Sequence, residues 1–172
     1  MKFLAAVLLL AVACLAHGDD GVQKDETINK TNEKAYKLIY VAETWDVAKK
    51  KCEENGAKLA VPKSEEEFLF LQKEVVRKMH YPSIIGSNYK YLVWLGIDNR
   101  NDNFVWRDVD GNNIVENGYN VWSGDNGKIT KFSANPAEPH CVGMDAANHG
   151  LRDFWCHLPQ PYVCETLLDK TL

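Results

Sequence analysis

Residues 141–165 read CVGMDAANHGLRDFWCHLPQPYVCE. This stretch holds three of the five cysteines and two of the five histidines of a 172-residue chain. Three short apolar runs, at 141–144, 154–156 and 162–165, are cut by Gly, Asn, Asp and Pro, the pattern of short strands separated by turns. Asp153 lies among them and is the acid expected nearest to a binding site. The rest of the chain reads as a scaffold that closes onto this stretch.

Working outward, the first eighteen residues differ in kind from everything else. Lys2 gives a short basic start, and 3–15 is an apolar run too short to span a bilayer. Ala16 and Gly18 set small residues at −3 and −1 of a cut before Asp19, the anatomy of a secretory leader. The expected division is a leader at 1–18, a flexible polar arm at 19–34 and one domain at 35–168. The product is expected outside the cell, with no membrane span. The formal net charge is −4. A mildly acidic chain has no general electrostatic pull on nucleic acid or anionic membrane. Cys14 leaves with the leader, so Cys52, Cys141, Cys156 and Cys164 remain. An even count in a secreted chain implies two disulfides, and counting leaves all three pairings open. Asn29-Lys30-Thr31 on the arm is an N-glycosylation acceptor sequence.

The run 35–41 is aromatic and aliphatic and reads as a strand. Thr44 follows as a helix cap, Trp45, Ala48 and Cys52 sit at helical spacing, and Gly56 is a stop. Ser64 and Glu67 make a capping box for a second helix, about 65–79, with Phe68, Leu71, Val75 and Met79 on one face. Beyond residue 91 the pattern changes to short strands, expected at 91–97, 104–107 and 114–115, with a turn at Asp110-Gly111. The span 122–140 carries Gly124, Gly127, Pro136 and Pro139 with little periodicity and reads as a long loop of the functional kind. Two helices with several short strands make an α+β domain.

The ordered set Trp45, Ala48, Cys52, Gly56, then Trp94-Leu95-Gly96-Ile97, Trp106, Trp122, Cys141, Cys156 and Cys164-Glu165 resembles the C-type lectin-like domain, across roughly 35–165. The resemblance implies the family's α+β fold with a long functional loop. It also implies the disulfides Cys52–Cys164 and Cys141–Cys156, the short form without an N-terminal third bridge. It implies a secreted lectin that binds carbohydrate through Ca2+, recognising microbial or self glycans. In the family, Asp, Glu and Asn oxygens cage the ion, and two sugar hydroxyls complete its shell.

Several residues stand at or near the family's ligand positions. Asp153 keeps the acid of the Trp-Asn-Asp motif, while Leu151 and Arg152 replace its first two residues. Arg152 puts a cation where the family has a neutral ligand, which repels Ca2+ unless the side chain turns away. No Glu-Pro-Asn follows Trp122; Ser123-Gly124-Asp125-Asn126-Gly127 stands there instead. Glu138 is the candidate ligand before the cysteine. Asp98 and Asp102, with Asn99, Asn101 and Asn103 beside them, match a second calcium site or, equally, a polar turn that satisfies its own backbone. The expected metal set is Asp98, Asp102, Glu138 and Asp153. The expected sugar set is Asp125, Asn126, Glu138, Arg152 and Asp153, with Tyr119 and Trp122 as exposed stacking platforms.

Other chemistries find less support. His140, His149 and His157 match no structural zinc spacing. There is no Gly-x-Ser-x-Gly and no phosphate-binding glycine loop, and the family fold is a binding scaffold, so no catalysis is expected. The competing expectation is a metal-independent domain of the same fold that binds a protein, a mineral surface or ice, motivated by Arg152 and the missing Glu-Pro-Asn.

Overall fold

The computed structural model describes residues 26–29, 33–128 and 140–168. The leader at 1–18 and Glu138 lie outside the described residues. Strand β1 (Glu26–Asn29) forms an antiparallel hairpin with β2 (Lys34–Glu43), pairing Asn29 with Lys34. Part of the span expected to be a flexible arm is therefore a strand. Its sequence, ETIN, is too short to show a period, and pairing with β2 supplies the order that composition does not.

Helix α1 (Trp45–Glu54) follows directly. Thr44 occupies the N-cap through its carbonyl, which accepts from Ala48 N at 2.9 Å, and its hydroxyl makes no cap bond. Gly56 takes φ +69° just past the end, the left-handed conformation that glycine adopts without strain. After β3 (Lys58–Leu59), helix α2 (Glu65–Phe70) starts at Ser64, whose hydroxyl accepts from Glu67 N at 3.2 Å. The Glu67 carboxylate accepts from Lys63 N instead of completing the box on Ser64. The helix widens into a π-helical stretch, Leu71–Val76, which ends short of Met79. That wide turn carries Gln72 and Arg77 toward the site described below.

Strand β4 (Val93–Asp98) is buried on both faces through Ile97, and this accounts for its continuous apolar sequence. It is followed by β5 (Arg107–Asp108), then by helix α3 (Ile114–Asn117) where a strand was expected. The Asn113 side chain accepts from Val115 N at 3.0 Å and caps that helix, a local bond that decides the conformation of a segment too short to show a period. The last strands are β6 (Cys141–Met144), β7 (Arg152–Phe154) and β8 (Gln160–Leu167). β7 lies two residues earlier than the apolar run suggested, and Cys156 sits in the turn after it.

The sheet runs β1-β2-β8-β4-β6-β7, with β3 on β8 and β5 on β4. β2 pairs antiparallel with β8, so the two ends of the domain close side by side, and β4 meets β8 in parallel at Trp94 and Tyr162. One core cluster joins the sheet to α2 through Phe68, Leu71, Val75, Leu95 and Val142. A second joins α1 to β8 through Trp45, Ala48, Leu59, Trp94 and Tyr162. Cys52–Cys164 and Cys141–Cys156 are both formed, as the resemblance implied. The first runs through the α1 cluster, and the second fastens β6 to the turn after β7.

Candidate functional site

Asp153 fastens the long loop to β7. Its Oδ2 accepts from Gly127 N at 2.8 Å, and Trp106 Nε1 donates to Gly127 O at 3.2 Å. Gly127 has φ +72°, and a Cβ there would lie 2.1 Å from the Trp122 ring. No other residue fits that position. Trp122 packs on Trp106 at 4.8 Å between centroids, so it is a wedge under the loop and not an exposed platform. Tyr119 is 4% exposed and stacked on Phe68 at 4.6 Å. Its expected role as a sugar platform is thus replaced by a core role: α3 turns the chain inward just before it. Asn126 donates to Ser123 O, and Asp125 is exposed and paired with Lys128.

Burial pushes the Asp153 carboxyl above its usual range, and the opposing pull of the Gly127 N–H and the Arg152 charge does not overcome it. A carboxyl raised in the folded state contributes stability below its unfolded pKa of about 3.9, and loses it as pH rises through the folded value. At pH 7 the ionised form is therefore a cost. Asp153→Asn mimics the neutral form and should raise the melting temperature at pH 7, with no gain near pH 3. Each kcal/mol relieved corresponds to roughly 2–4 °C in a protein of this size. Thermal melts at the two pH values check this, and a lower melting temperature for the variant at pH 7 contradicts it.

The turn between β6 and β7 is organised by Asp145, which the sequence reading did not single out. Its Oδ1 accepts from Ala147 N at 2.8 Å and Asn148 N at 2.6 Å. Its Oδ2 accepts from Asn148 Nδ2 at 2.9 Å and Arg152 Nη1 at 2.6 Å. Burial raises the Asp145 carboxyl, but these donors together outweigh it and hold it below the usual range. Gln72 on the π-helical stretch donates to Asp145 O at 3.1 Å and Asn148 O at 2.7 Å, and Arg77 Nε reaches Ala146 O at 2.9 Å. The Arg152 guanidinium is thus turned toward Asp145 and neutralised by it. The signal available in sequence was Asp145-x-x-Asn148, an Asp followed by small and amide residues ready to close a turn.

Asp98 and Asp102 follow β4. Asp98 Oδ1 accepts from Arg100 N at 3.1 Å and Arg100 Nε at 3.3 Å, and Arg100 continues to Asp46 at 2.8 Å. The same guanidinium lies over the Trp45 ring at 4.6 Å. Asp102 Oδ1 accepts from Phe104 N at 3.0 Å, closing its own turn. Asn99 is buried, donates to Asn103 O at 3.2 Å and shares a 2.7 Å bond with His140 Nδ1. Of the two readings open for this segment, the polar turn that satisfies its own backbone accounts for these bonds.

The described residues at the family's calcium positions do not fit a calcium cage. Ca2+ takes six to eight oxygens at about 2.3–2.6 Å. Asp153, Asp98 and Asp102 each give oxygens to backbone N–H groups, and two of the three neighbour an arginine. No group of three His, Cys, Asp or Glu side chains able to hold a metal ion occurs among the described residues. Asn29 of the glycosylation sequence is 5% exposed on β1, whereas a glycan needs that side chain at the surface.

Beside β7 a cavity of about 400 Å3 opens, lined by Tyr81, Tyr89, Tyr91, Arg152, Phe154 and Gln160 among others. Tyr81 and Tyr89 come from the connection at 80–90, for which no role was expected, and Tyr91 from the start of the strand expected at 91–97.

The family described as the lectin C-type domain matches residues 41–166. CD209 antigen of Pongo pygmaeus is 27% identical over 118 residues, covering 66% of this chain and 24% of that protein. The human CD209 antigen gives 27% identity over 118 residues and likewise 24% of its length. The chain spans about a quarter of the length of these curated relatives. Among solved structures, a mouse scavenger receptor C-type lectin carbohydrate-recognition domain is similar with TM-score 0.63 and 20% identity, over 86% of this chain and 97% of that one. A calcium-independent type II antifreeze protein is similar with TM-score 0.59 and 22% identity, over 83% and 91%. The cow CD23 C-type carbohydrate-recognition domain, crystallised in the presence of a GlcNAc2Man3 oligosaccharide, gives TM-score 0.58 and 20% identity, over 84% and 98%. The match over 41–166 takes in both disulfides, the buried Trp94 strand and the loop that Asp153 holds, and on this evidence the chain belongs to the C-type lectin domain family.

Proposed function

We propose that this chain is an extracellular carbohydrate-binding domain that recognises glycans without a calcium ion. The observation that carries the second half is the Arg152–Asp145 pair at 2.6 Å. A cation stands at a family ligand position and has its own carboxylate, while Asp153 beside it holds Gly127. The glycan half is supported by the family and by the carbohydrate-recognition domains among its structural neighbours. Export is supported by the leader-like sequence at 1–18 and by two disulfides, which persist in oxidising compartments. No helix among the described residues is long and apolar enough to cross a membrane. The domain is read as a binder and not an enzyme, in keeping with its family.

A glycan array probed in millimolar Ca2+ and again in EDTA tests this reading. The expected result is the same set of bound glycans in both. Binding that disappears in EDTA contradicts the calcium half, and a blank array in both conditions contradicts the glycan half. A blank array would favour recognition of a protein, mineral or ice surface, for which exposed Ile85, Tyr89 and Tyr91 are the supporting observation.

A further inference from the structure

We propose that the cleft between α1 and the face of β2 and β8 turned away from α2 is a site for the carboxylate or sulfate group of an acidic sugar. This extends the glycan reading above and rests on it for the sugar, while the cleft itself selects the acid. The cleft has a volume of about 240 Å3, the scale of a single sugar ring. Its floor follows from strand register. Side chains two apart share a face of a strand. Ala35, Lys37 and Ile39 of β2 therefore lie beside their partners Thr166, Cys164 and Tyr162 of β8, and all six line the cleft. Tyr36 and Leu38 point the other way, into the α2 cluster. The Cys52–Cys164 bridge fastens α1 to this floor, and Lys51 and Asn55 at the end of the helix form the wall.

The polar groups of the cleft select the ligand chemistry. Lys51 is paired with Glu43 and adds no net charge. Lys37 is half-buried and, although Glu26 is its register partner on β1, makes no ion pair among the described residues. It is the uncompensated cation of the cleft. Tyr162 is 3% exposed, with its ring packed in the α1 cluster. Its hydroxyl borders the cleft beside Lys51, is not sealed from solvent, and has no hydrogen-bond partner among the described residues. The Thr166 hydroxyl is likewise without one. Burial holds the Tyr162 phenol above its usual range against the pull of the Lys51 charge, so at pH 7 it stays protonated and donates. One unpaired ammonium with two hydroxyl donors suits an oxyanion. A neutral sugar leaves the Lys37 charge without a counter-ion, and a cation is repelled by it.

Titration calorimetry of the full chain in EDTA at low, fixed ionic strength tests this with glucuronate, a sulfated glucose, glucose and inorganic sulfate. The expected result is saturable binding of the two acidic sugars, with glucose at least tenfold weaker. Lys37→Met keeps the stem, removes the charge and should weaken both acidic sugars by roughly tenfold. Tyr162→Phe removes only the hydroxyl and should weaken them severalfold with an unchanged melting temperature, since that group has no partner in the fold. A merely structural tyrosine would give the reverse, a lower melting temperature with unchanged affinity, and that result overturns the proposal. Unchanged affinity in Lys37→Met also overturns it, as does inorganic sulfate binding as tightly as the sulfated sugar. If neither acidic sugar binds while the array shows bound glycans, the proposal falls and the glycan reading stands. A blank array overturns the reading on which it rests.

Discussion

Replacing Cys52 and Cys164 together by alanine should cost about 4–5 kcal/mol of stability and leave the domain largely unfolded near 37 °C. The bridge spans 112 residues, almost the whole domain. In the chain-entropy account, a cross-link over about 100 residues stabilises by about 4.7 kcal/mol, because the unfolded chain loses the freedom of its ends. A domain of this size has only about 5–15 kcal/mol in total. Both sulfurs also lie in the apolar cluster of α1 and β8, so their removal loosens packing with Trp45 and Tyr162. The Cys141–Cys156 bridge spans only 15 residues, and its loss should cost about 3 kcal/mol. Urea unfolding of the two double variants against the wild type checks the order. A smaller loss for the long bridge than for the short one contradicts it.

Trp94→Ala should cost about 3–5 kcal/mol, the range for deleting a large aromatic side chain from a core. Trp94 is fully buried at the point where β4 meets both β6 and β8. Its Nε1 donates to Glu43 O at 3.0 Å, and in return Trp45 Nε1 donates to Leu95 O at 2.8 Å. These two indoles tie β4 to the junction of β2 and α1. Truncation leaves a cavity and an unpaired carbonyl at once, and the surrounding strands cannot close over both. Trp94→Phe keeps most of the volume and should lose roughly half as much. Equilibrium unfolding monitored by the remaining tryptophans measures both variants. A loss below about 1 kcal/mol for Trp94→Ala would show that β4 is not the centre of the fold.

The parts of the fold that were legible in sequence are those where local pattern and tertiary role agree. The apolar strand around Trp94, the helical spacing of Trp45, Ala48 and Cys52, and the Ser64 cap were all of this kind. The segments that misled are short ones. Residues 26–29 became a strand only through a partner strand that begins five residues on, and 114–117 became a helix only through the Asn113 cap. The candidate site was less legible, for a different reason. Sequence showed which oxygens were near the loop but not which were already in use. Asp153, Asp98 and Asp102 look alike as letters, yet Asp98 and Asp102 are each held by an N–H two residues on, and Asp153 by Gly127 N, which only the folded chain brings within reach. Arg152 was expected to repel Ca2+ unless its side chain turned away, and the carboxylate seven residues away that takes up its charge was not foreseen. Tyr119 and Trp122 were expected as an exposed pair, whereas the most exposed rings among the described residues are Tyr91, Phe104 and Tyr89.

The claim at the centre of this account is that the carboxylates at the family's calcium positions are engaged by the protein itself. The thermal midpoint of the wild-type chain in millimolar Ca2+, compared with the same chain in EDTA, tests it most directly. A ligand that binds only the folded state stabilises it by about 2.7 kcal/mol at a hundredfold excess over its dissociation constant. For a chain of this size that is a rise of roughly 5–10 °C. The account predicts the same midpoint in both solutions. A rise of several degrees with Ca2+, abolished by Asp153→Asn, would contradict it.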